Sequence, residues 1–180
     1  DIKKAPRKDV SKAYNTFKTA AIRPSGNGFT GAPIVAPDEL NRQKGEISLN
    51  DLEDMLSGFA YDACYNHSAQ SMKNYFLVWD YAINQGFAFG SGMGTNHHYG
   101  YQIRKIYTTA WLMRDAIWKA PNRDNILSAL IFWSALQETR IPYQYGRDEL
   151  LDSWHTLLMP KTISALMFVD ERERARALTG

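Results

Sequence analysis

Apolar residues recur at helical spacing along most of the chain, and this periodicity constrains the fold more than any other feature. The segment SLNDLEDMLSGFAYDA, residues 48–63, opens with a capping pattern that is typical of a helix start. Its apolar side chains share one helical stripe. They are Leu52, Met55, Leu56, Phe59 and Ala63. The spacing therefore predicts a helix with one buried face.

The helical pattern repeats through the next three segments. HSAQSMKNYFLVWDYAINQG, residues 67–86, predicts a helix that ends at Gly86. Its predicted stripe is Met72, Phe76, Trp79 and Ile83. Residues 101–120 are apolar on nearly every side, which predicts one helix covered on both faces and ending before Pro121. Residues 122–140 predict a helix with an asparagine cap.

The remaining segments add short helices and one long loop. Residues 146–170 indicate two helical pieces separated by Pro160, and residues 170–178 begin another helix. Residues 23–46 form a loop rich in glycine and proline, with a short extended piece at GAPIVAP. We therefore predict an all-α fold, with antiparallel helical hairpins in two layers as in a toroid or solenoid, and one domain over residues 1–180.

Composition excludes several classes of protein. The 180 residues are 44% hydrophobic, which is typical of a globular chain, and the formal charge of +2 does not indicate nucleic-acid binding. No apolar run approaches the roughly 20 residues of a membrane helix. The single Cys64 excludes an internal disulfide and a cysteine metal cage, and its surroundings predict a small buried residue.

Residues 86–104, GFAFGSGMGTNHHYGYQIR, concentrate glycines and polar rings ahead of a helix. Glycines let the backbone approach a ligand, and free amides at a helix start favour anions. On the helix that follows, Tyr101, Arg104, Thr108 and Trp111 are spaced to share one face. Rings, a guanidinium and an imidazole together suit a sugar that carries carboxylate or sulfate.

Other interpretations of this segment remain open. The glycines can simply form a tight connection, with the histidines capping a helix or lying in the core. A metal site is disfavoured, because adjacent side chains diverge and the segment has no carboxylate. Nucleotide binding is disfavoured too, because the glycine spacing matches neither phosphate-binding motif. His67 is predicted to face solvent, and His155 to lie in the core or a groove.

The segment GFAFGSGMGTNHHYGYQIRKIYTTAWLMRDA, together with LLMPKTISALMF, resembles the helical catalytic domain of bacterial chondroitin sulfate ABC lyases, in polysaccharide lyase family 8. The resemblance extends from about Met72 to the C-terminus. It implies part of an incomplete α/α toroid, accompanied by further domains of the same polypeptide. It also implies a secreted or periplasmic bacterial enzyme that cleaves chondroitin and dermatan sulfates by β-elimination at uronic acid, leaving 4,5-unsaturated products.

The resemblance also implies roles for individual residues. His97 or His98 would act in removing the iduronate proton or in binding its carboxylate. The acidic sugar would be bound by a wider set of side chains, which is Asn96, Tyr99, Tyr101, Arg104, Trp111 and Trp133. We expect no cofactor in this segment, while a divalent cation elsewhere in the polypeptide stays open. Nucleic acid and membrane are not expected partners.

The family's principal His and Tyr catalytic pair does not occur in these 180 residues. We therefore expect the segment to supply one wall of a substrate cleft and to be inactive by itself. The competing hypothesis is a non-catalytic helical module that binds acidic polysaccharide or a protein. A third is a structural helical scaffold.

Overall fold

A computed structural model describes residues 7–26, 28–34, 45–85, 98–140 and 162–167, and for residues 7–8, 98–103 and 132–140 the description covers the backbone. The described chain is predominantly helical, which confirms the predicted all-α class. The helices are α1 (Arg7–Ala20), α2 (Leu49–Tyr65), α3 (Ala69–Asn84), α4 (His98–Leu112), α5 (Arg114–Lys119) and α6 (Arg123–Arg140). A further helical segment covers residues 162–167.

Two short strands accompany the helices. They are β1 (Arg23–Ser25) and β2 (Gly28–Thr30), which pair antiparallel. Contacts divide the chain into two compact units, Asp1–Gly94 and Thr95–Gly180. The predicted toroid and the single domain over residues 1–180 remain predictions.

In the first unit, α2 forms as its sequence predicts. The Ser48 hydroxyl accepts a hydrogen bond from the Asp51 amide, and the Asp51 carboxylate accepts one from the Ser48 amide at 2.7 Å. This reciprocal capping box satisfies two amides at the start of the helix. All five residues of the predicted stripe are buried, so that prediction is confirmed.

Helix α1, which the sequence analysis did not assign, packs closely on α2. Gly58 permits the approach, since a Cβ built there would lie 2.5 Å from the Ala13 Cβ and 2.8 Å from the Asp9 carbonyl oxygen. On either side of this contact, the Phe59 ring meets Tyr14 and Phe17 edge to face, with centroids 5.0 and 5.4 Å apart. Edge-to-face contacts of this kind add to the stability gained from burial.

A three-residue connection joins α2 to α3, and the predicted stripe of α3 is wrong at three of its four positions. Met72, Phe76 and Ile83 are only half-buried, whereas Tyr75, Val78 and Ala82 are buried with Trp79. Polar residues at the start of the buried face are the reason. Ser71 is buried because its hydroxyl bonds the Asp62 carboxylate, and this contact turns the helix away from the predicted orientation.

The Gly/Pro-rich loop contains a hairpin that the sequence analysis missed. Strands β1 and β2 pack against the end of α3, where a Cβ at Gly31 would lie 2.9 Å from the Tyr81 ring. The predicted extended piece is confirmed at Ile34, which forms a parallel bridge with Ile47. Residues 35–44 lie outside the described part of the chain.

In the second unit, the single helix predicted for residues 101–120 is divided at Met113 into α4 and α5. The hydroxyls of Thr108 and Thr109 donate to carbonyls one turn earlier, a contact that bends helices. Arg114 then donates to the Trp111 carbonyl at 3.0 Å. The predicted end before Pro121 is correct, and α6 begins directly after Asn122, the predicted cap position.

Candidate functional site

The predicted site residues are described to different degrees. Asn96 and His97 lie outside the described residues. His98 is the first residue of α4. Tyr99 and Tyr101 of α4 and Trp133 of α6 are described by their backbone positions alone, as is His98. Side chains are described for two members of the set, Arg104 and Trp111. The roles assigned to all of these residues remain predictions.

Helix α4 presents one open face and one buried face. Arg104 and Trp111 are half-buried on the same side as Thr108, which is exposed. The side that contains Ile106 and Ala110 packs inward, with each at most 1% exposed, and Tyr107 at the edge of this side is fully buried. The prediction that this helix is covered on both faces is therefore wrong. The buried side is held in place by the Tyr107 hydroxyl, which donates to the Leu130 carbonyl of α6.

Helix geometry sets how far apart the site residues lie. An α-helix rises about 1.5 Å per residue, so Arg104 lies about 9 Å along the axis from His98 and Trp111 about 20 Å from it. The long side chain of Arg104 can span part of its distance of about 9 Å from His98. The tryptophan does not reach the start of the helix. A ligand that contacts both His98 and Trp111 must therefore be longer than one sugar ring.

Two tryptophans of the second unit each lie under an arginine. The Arg114 guanidinium carbon lies 4.6 Å from the Trp111 ring centroid, and that of Arg123 lies 4.8 Å from the Trp118 centroid. The sequence patterns singled out neither Trp118 nor the two arginines. The structure leaves Trp118 half-buried. An arginine three residues after a tryptophan on a helix was the available signal for the first pair.

Burial raises the pKa of three described groups in the first unit, which are the Tyr75 and Tyr81 hydroxyls and the Cys64 thiol. Burial raises the pKa of the Tyr81 hydroxyl to about 12, and it raises the pKa of Tyr75 further. The Trp79 N–H lies near the Tyr75 hydroxyl and opposes this shift, although the two atoms do not meet the geometry of a hydrogen bond. Cys64 is half-buried rather than buried, and burial raises the pKa of its thiol, which disfavours a nucleophilic thiolate.

Other marked positions add no site within the described ranges. His67 is exposed, as predicted, and takes a left-handed backbone conformation with φ 56° at the turn between α2 and α3. His155 lies outside the described residues. Among the residues with described side chains, no three His, Cys, Asp or Glu groups are placed to hold a metal ion. None of the described helices combines the length and apolarity needed to cross a membrane.

A comparison with protein families matches the model described as "Lyase, catalytic" to residues 1–180. The chain belongs to this lyase catalytic family. The match extends over the whole chain, which includes the first seventy residues that carry little of the resemblance seen in the sequence. The resemblance to family 8 polysaccharide lyases is thereby confirmed.

Two relatives of this chain are named as chondroitin sulfate ABC lyases. A chondroitin sulfate ABC exolyase of Bacteroides thetaiotaomicron is 31% identical over 112 residues, covering 61% of this chain and 11% of the relative. A chondroitin sulfate ABC endolyase of Proteus vulgaris is 24% identical over 189 aligned positions, covering 94% of this chain and 18% of the relative. The chain thus spans less than a fifth of the length of either relative.

Proposed function

We propose that the polypeptide containing this chain is a polysaccharide lyase that cleaves chondroitin and dermatan sulfates by β-elimination at uronic acid. The observation that carries the proposal is the lyase catalytic family match over residues 1–180. Two relatives named as chondroitin sulfate ABC lyases support the choice of substrate. A polymer of this kind does not cross a membrane unaided, so we place the enzyme in the periplasm or outside the cell.

The reaction sets three chemical requirements. A base removes the proton from C5 of the uronate, the C5 electron pair forms the C4–C5 double bond, and the bond from C4 to the glycosidic oxygen breaks. The departing oxygen takes a proton from an acid. Negative charge develops on the uronate carboxylate as the C5 proton leaves. A fixed positive charge beside that carboxylate therefore lowers the barrier.

Arg104 fits the requirement for a fixed cation. A guanidinium is charged at every pH at which proteins are folded, and it can bind a carboxylate through two parallel hydrogen bonds. Arg104 lies on the partly exposed face of α4, about 9 Å along the helix from its first residue, His98. We assign it to the carboxylate or sulfate of the acidic sugar.

His97 and His98 are our candidates for the proton transfer. Glucuronate and iduronate differ in configuration at C5, so their protons leave from opposite faces of the ring. An enzyme that accepts both sugars needs a base on each face. An imidazole titrates near neutral pH and can serve as one of them. We assign one histidine of this pair to the iduronate proton or to its carboxylate.

The remaining predicted residues would position the polymer. We assign Asn96 to orienting the histidines, and we assign Tyr99 and Tyr101 to contacts with the sugar. Trp111 lies farther along the same helix, so we assign it to a neighbouring sugar. Trp133 of α6 completes the predicted set. We propose that none of these residues holds a cofactor.

The direct test uses the full-length polypeptide and purified chondroitin and dermatan sulfates. A lyase releases 4,5-unsaturated uronates, whose conjugated double bond absorbs ultraviolet light, whereas a hydrolase does not. Product from both substrates supports the proposal. Salt-sensitive retention on chondroitin sulfate resin without any unsaturated product would instead establish a binding module.

A further inference from the structure

Four side chains at the junction of α4, α5 and α6 form what we call the tryptophan–arginine surface: Trp111, Arg114, Trp118 and Arg123. Each tryptophan ring is covered on one face by the guanidinium of one arginine, at 4.6 and 4.8 Å. Arg114 donates a hydrogen bond to the Trp111 carbonyl at 3.0 Å, and Arg123 Nε donates one to the Asp124 carboxylate at 2.8 Å. Each guanidinium thus has a hydrogen-bond partner as well as a tryptophan ring beside it.

The surface faces away from the core of its unit. All four residues are half-buried, and three neighbours between or beside them, Thr108, Asp115 and Lys119, are exposed. The opposite side of the same helices is closed, with Met113 and Ile117 each 1% exposed. A ligand lying along α4 and α5 would therefore meet the edges of both rings and both guanidinium groups.

Charge on this part of the chain favours an anion. Between residues 104 and 124 the basic side chains are Arg104, Lys105, Arg114, Lys119 and Arg123, while the acidic ones are Asp115 and Asp124. A guanidinium has five N–H donors, and the hydrogen bond that Arg114 makes among the described residues is the one to the Trp111 carbonyl. Further donors on Arg114 are thus available to a sulfate or a carboxylate.

We infer that the tryptophan–arginine surface binds a second stretch of the acidic polysaccharide, apart from the sugar at which elimination occurs. The inference rests on the proposed function for the identity of the polymer. The position of Trp111 indicates a second stretch, because Trp111 lies about 20 Å along the helix from His98 and no single sugar reaches both residues. Trp118 lies a further seven residues along the chain.

The chemistry of the surface selects this occupant. The face of an aromatic ring suits the C–H surface of a sugar, and guanidinium groups suit the sulfates and carboxylates that recur along such a chain. A neutral polysaccharide would offer no anionic group to the free donors of Arg114. A long acidic polymer gains from the second contact because binding at one site raises its local concentration at the other. A short oligosaccharide does not gain in this way.

The test compares a long chondroitin sulfate with a tetrasaccharide in the full-length enzyme. We expect the double variant Arg114→Gln with Arg123→Gln to lower the ratio of kcat/KM for the polymer to kcat/KM for the tetrasaccharide about tenfold. The change should appear in KM for the polymer. Lys18→Gln is the matched control, since Lys18 is exposed on α1 in the other compact unit, and it should leave the ratio unchanged.

A conservative variant separates the role of the guanidinium from its support of the fold. Arg114→Lys keeps the charge but loses the planar group, so it should give an intermediate ratio with an unaltered circular dichroism spectrum. An unchanged ratio in the double variant, or an equal loss on both substrates, would overturn the inference. If the wild-type enzyme forms no unsaturated product, the proposed function fails separately. In that case, retention on chondroitin sulfate resin tests the surface. Retention that is lost in the double variant and kept in Lys18→Gln supports the inference, whereas equal retention of the two variants contradicts it.

Discussion

The Ser71 hydroxyl donates a hydrogen bond to the Asp62 carboxylate across the turn between α2 and α3, and the Tyr14 hydroxyl of α1 lies 2.9 Å from the same Ser71 oxygen. One small side chain thus links three helices. Burial alone would raise the pKa of Asp62, but the hydrogen bonds from Ser71, Asn66 and Ser68 outweigh it and lower the pKa below its ordinary value. A carboxylate with a lowered pKa stabilises the folded state while it is ionised.

Ser71→Ala should lower the free energy of unfolding by about 1–3 kcal/mol at neutral pH, because a buried carboxylate loses a hydrogen bond. The contribution of Asp62 is present above its unfolded pKa of 3.8 and is lost as the pH falls through its lower folded pKa. The deficit of the variant should therefore shrink in acid. Urea denaturation across this pH range measures it. The exposed Ser11→Ala is the control, and a deficit independent of pH would contradict the account.

Gly58→Ala should destabilise the packing of α1 on α2. The new methyl group would meet the Ala13 Cβ at 2.5 Å and the Asp9 carbonyl at 2.8 Å, and neither contact can be relieved by a flexible side chain. Overpacking costs about 1–3 kcal/mol, against a gain of about 1 kcal/mol in helix propensity. We expect a lower urea midpoint. Gly26→Ala, which meets nothing within 4 Å, should be nearly neutral, and equal midpoints for the two variants would refute the prediction.

Arg104→Gln should raise KM for chondroitin sulfate in the full-length enzyme about tenfold, because the anionic sugar loses a charge-assisted hydrogen bond. A fall in kcat would indicate that the cation also stabilises the charge that develops on the uronate. Lys105→Gln is the matched control. It removes the adjacent charge, which projects about 100° around the helix from Arg104. Similar KM values for the two variants would remove Arg104 from the site.

In the first unit, the sequence predicts the buried face of a helix correctly where apolar side chains alone form that face. Helix α2 has a capping box and a regular stripe, and its buried face was predicted residue by residue. Helix α3 was misoriented because Ser71 and Asn74 are buried through hydrogen bonds that periodicity does not register. In α3, hydrogen bonds of polar side chains have more influence on which face is buried than the spacing of apolar residues.

Two further errors have similar causes. At the break near Met113, threonine hydroxyls and Arg114 bond to backbone carbonyls, and these are contacts that the apolar pattern does not show. The β1–β2 hairpin was missed because its residues were included in the long loop. For the site, spacing correctly placed Arg104 and Trp111 on one face of α4, but the tryptophan–arginine pairs emerged only from the structure.

The most direct test of the central claim is the rate of unsaturated product formation by full-length His97→Ala and His98→Ala variants, measured separately on dermatan and chondroitin sulfates. We predict that at least one variant loses about a hundredfold or more on dermatan sulfate, the iduronate-containing substrate, with a smaller loss on chondroitin sulfate. Rates within twofold of wild type for both variants on both substrates would contradict the assignment of this histidine pair to the uronate.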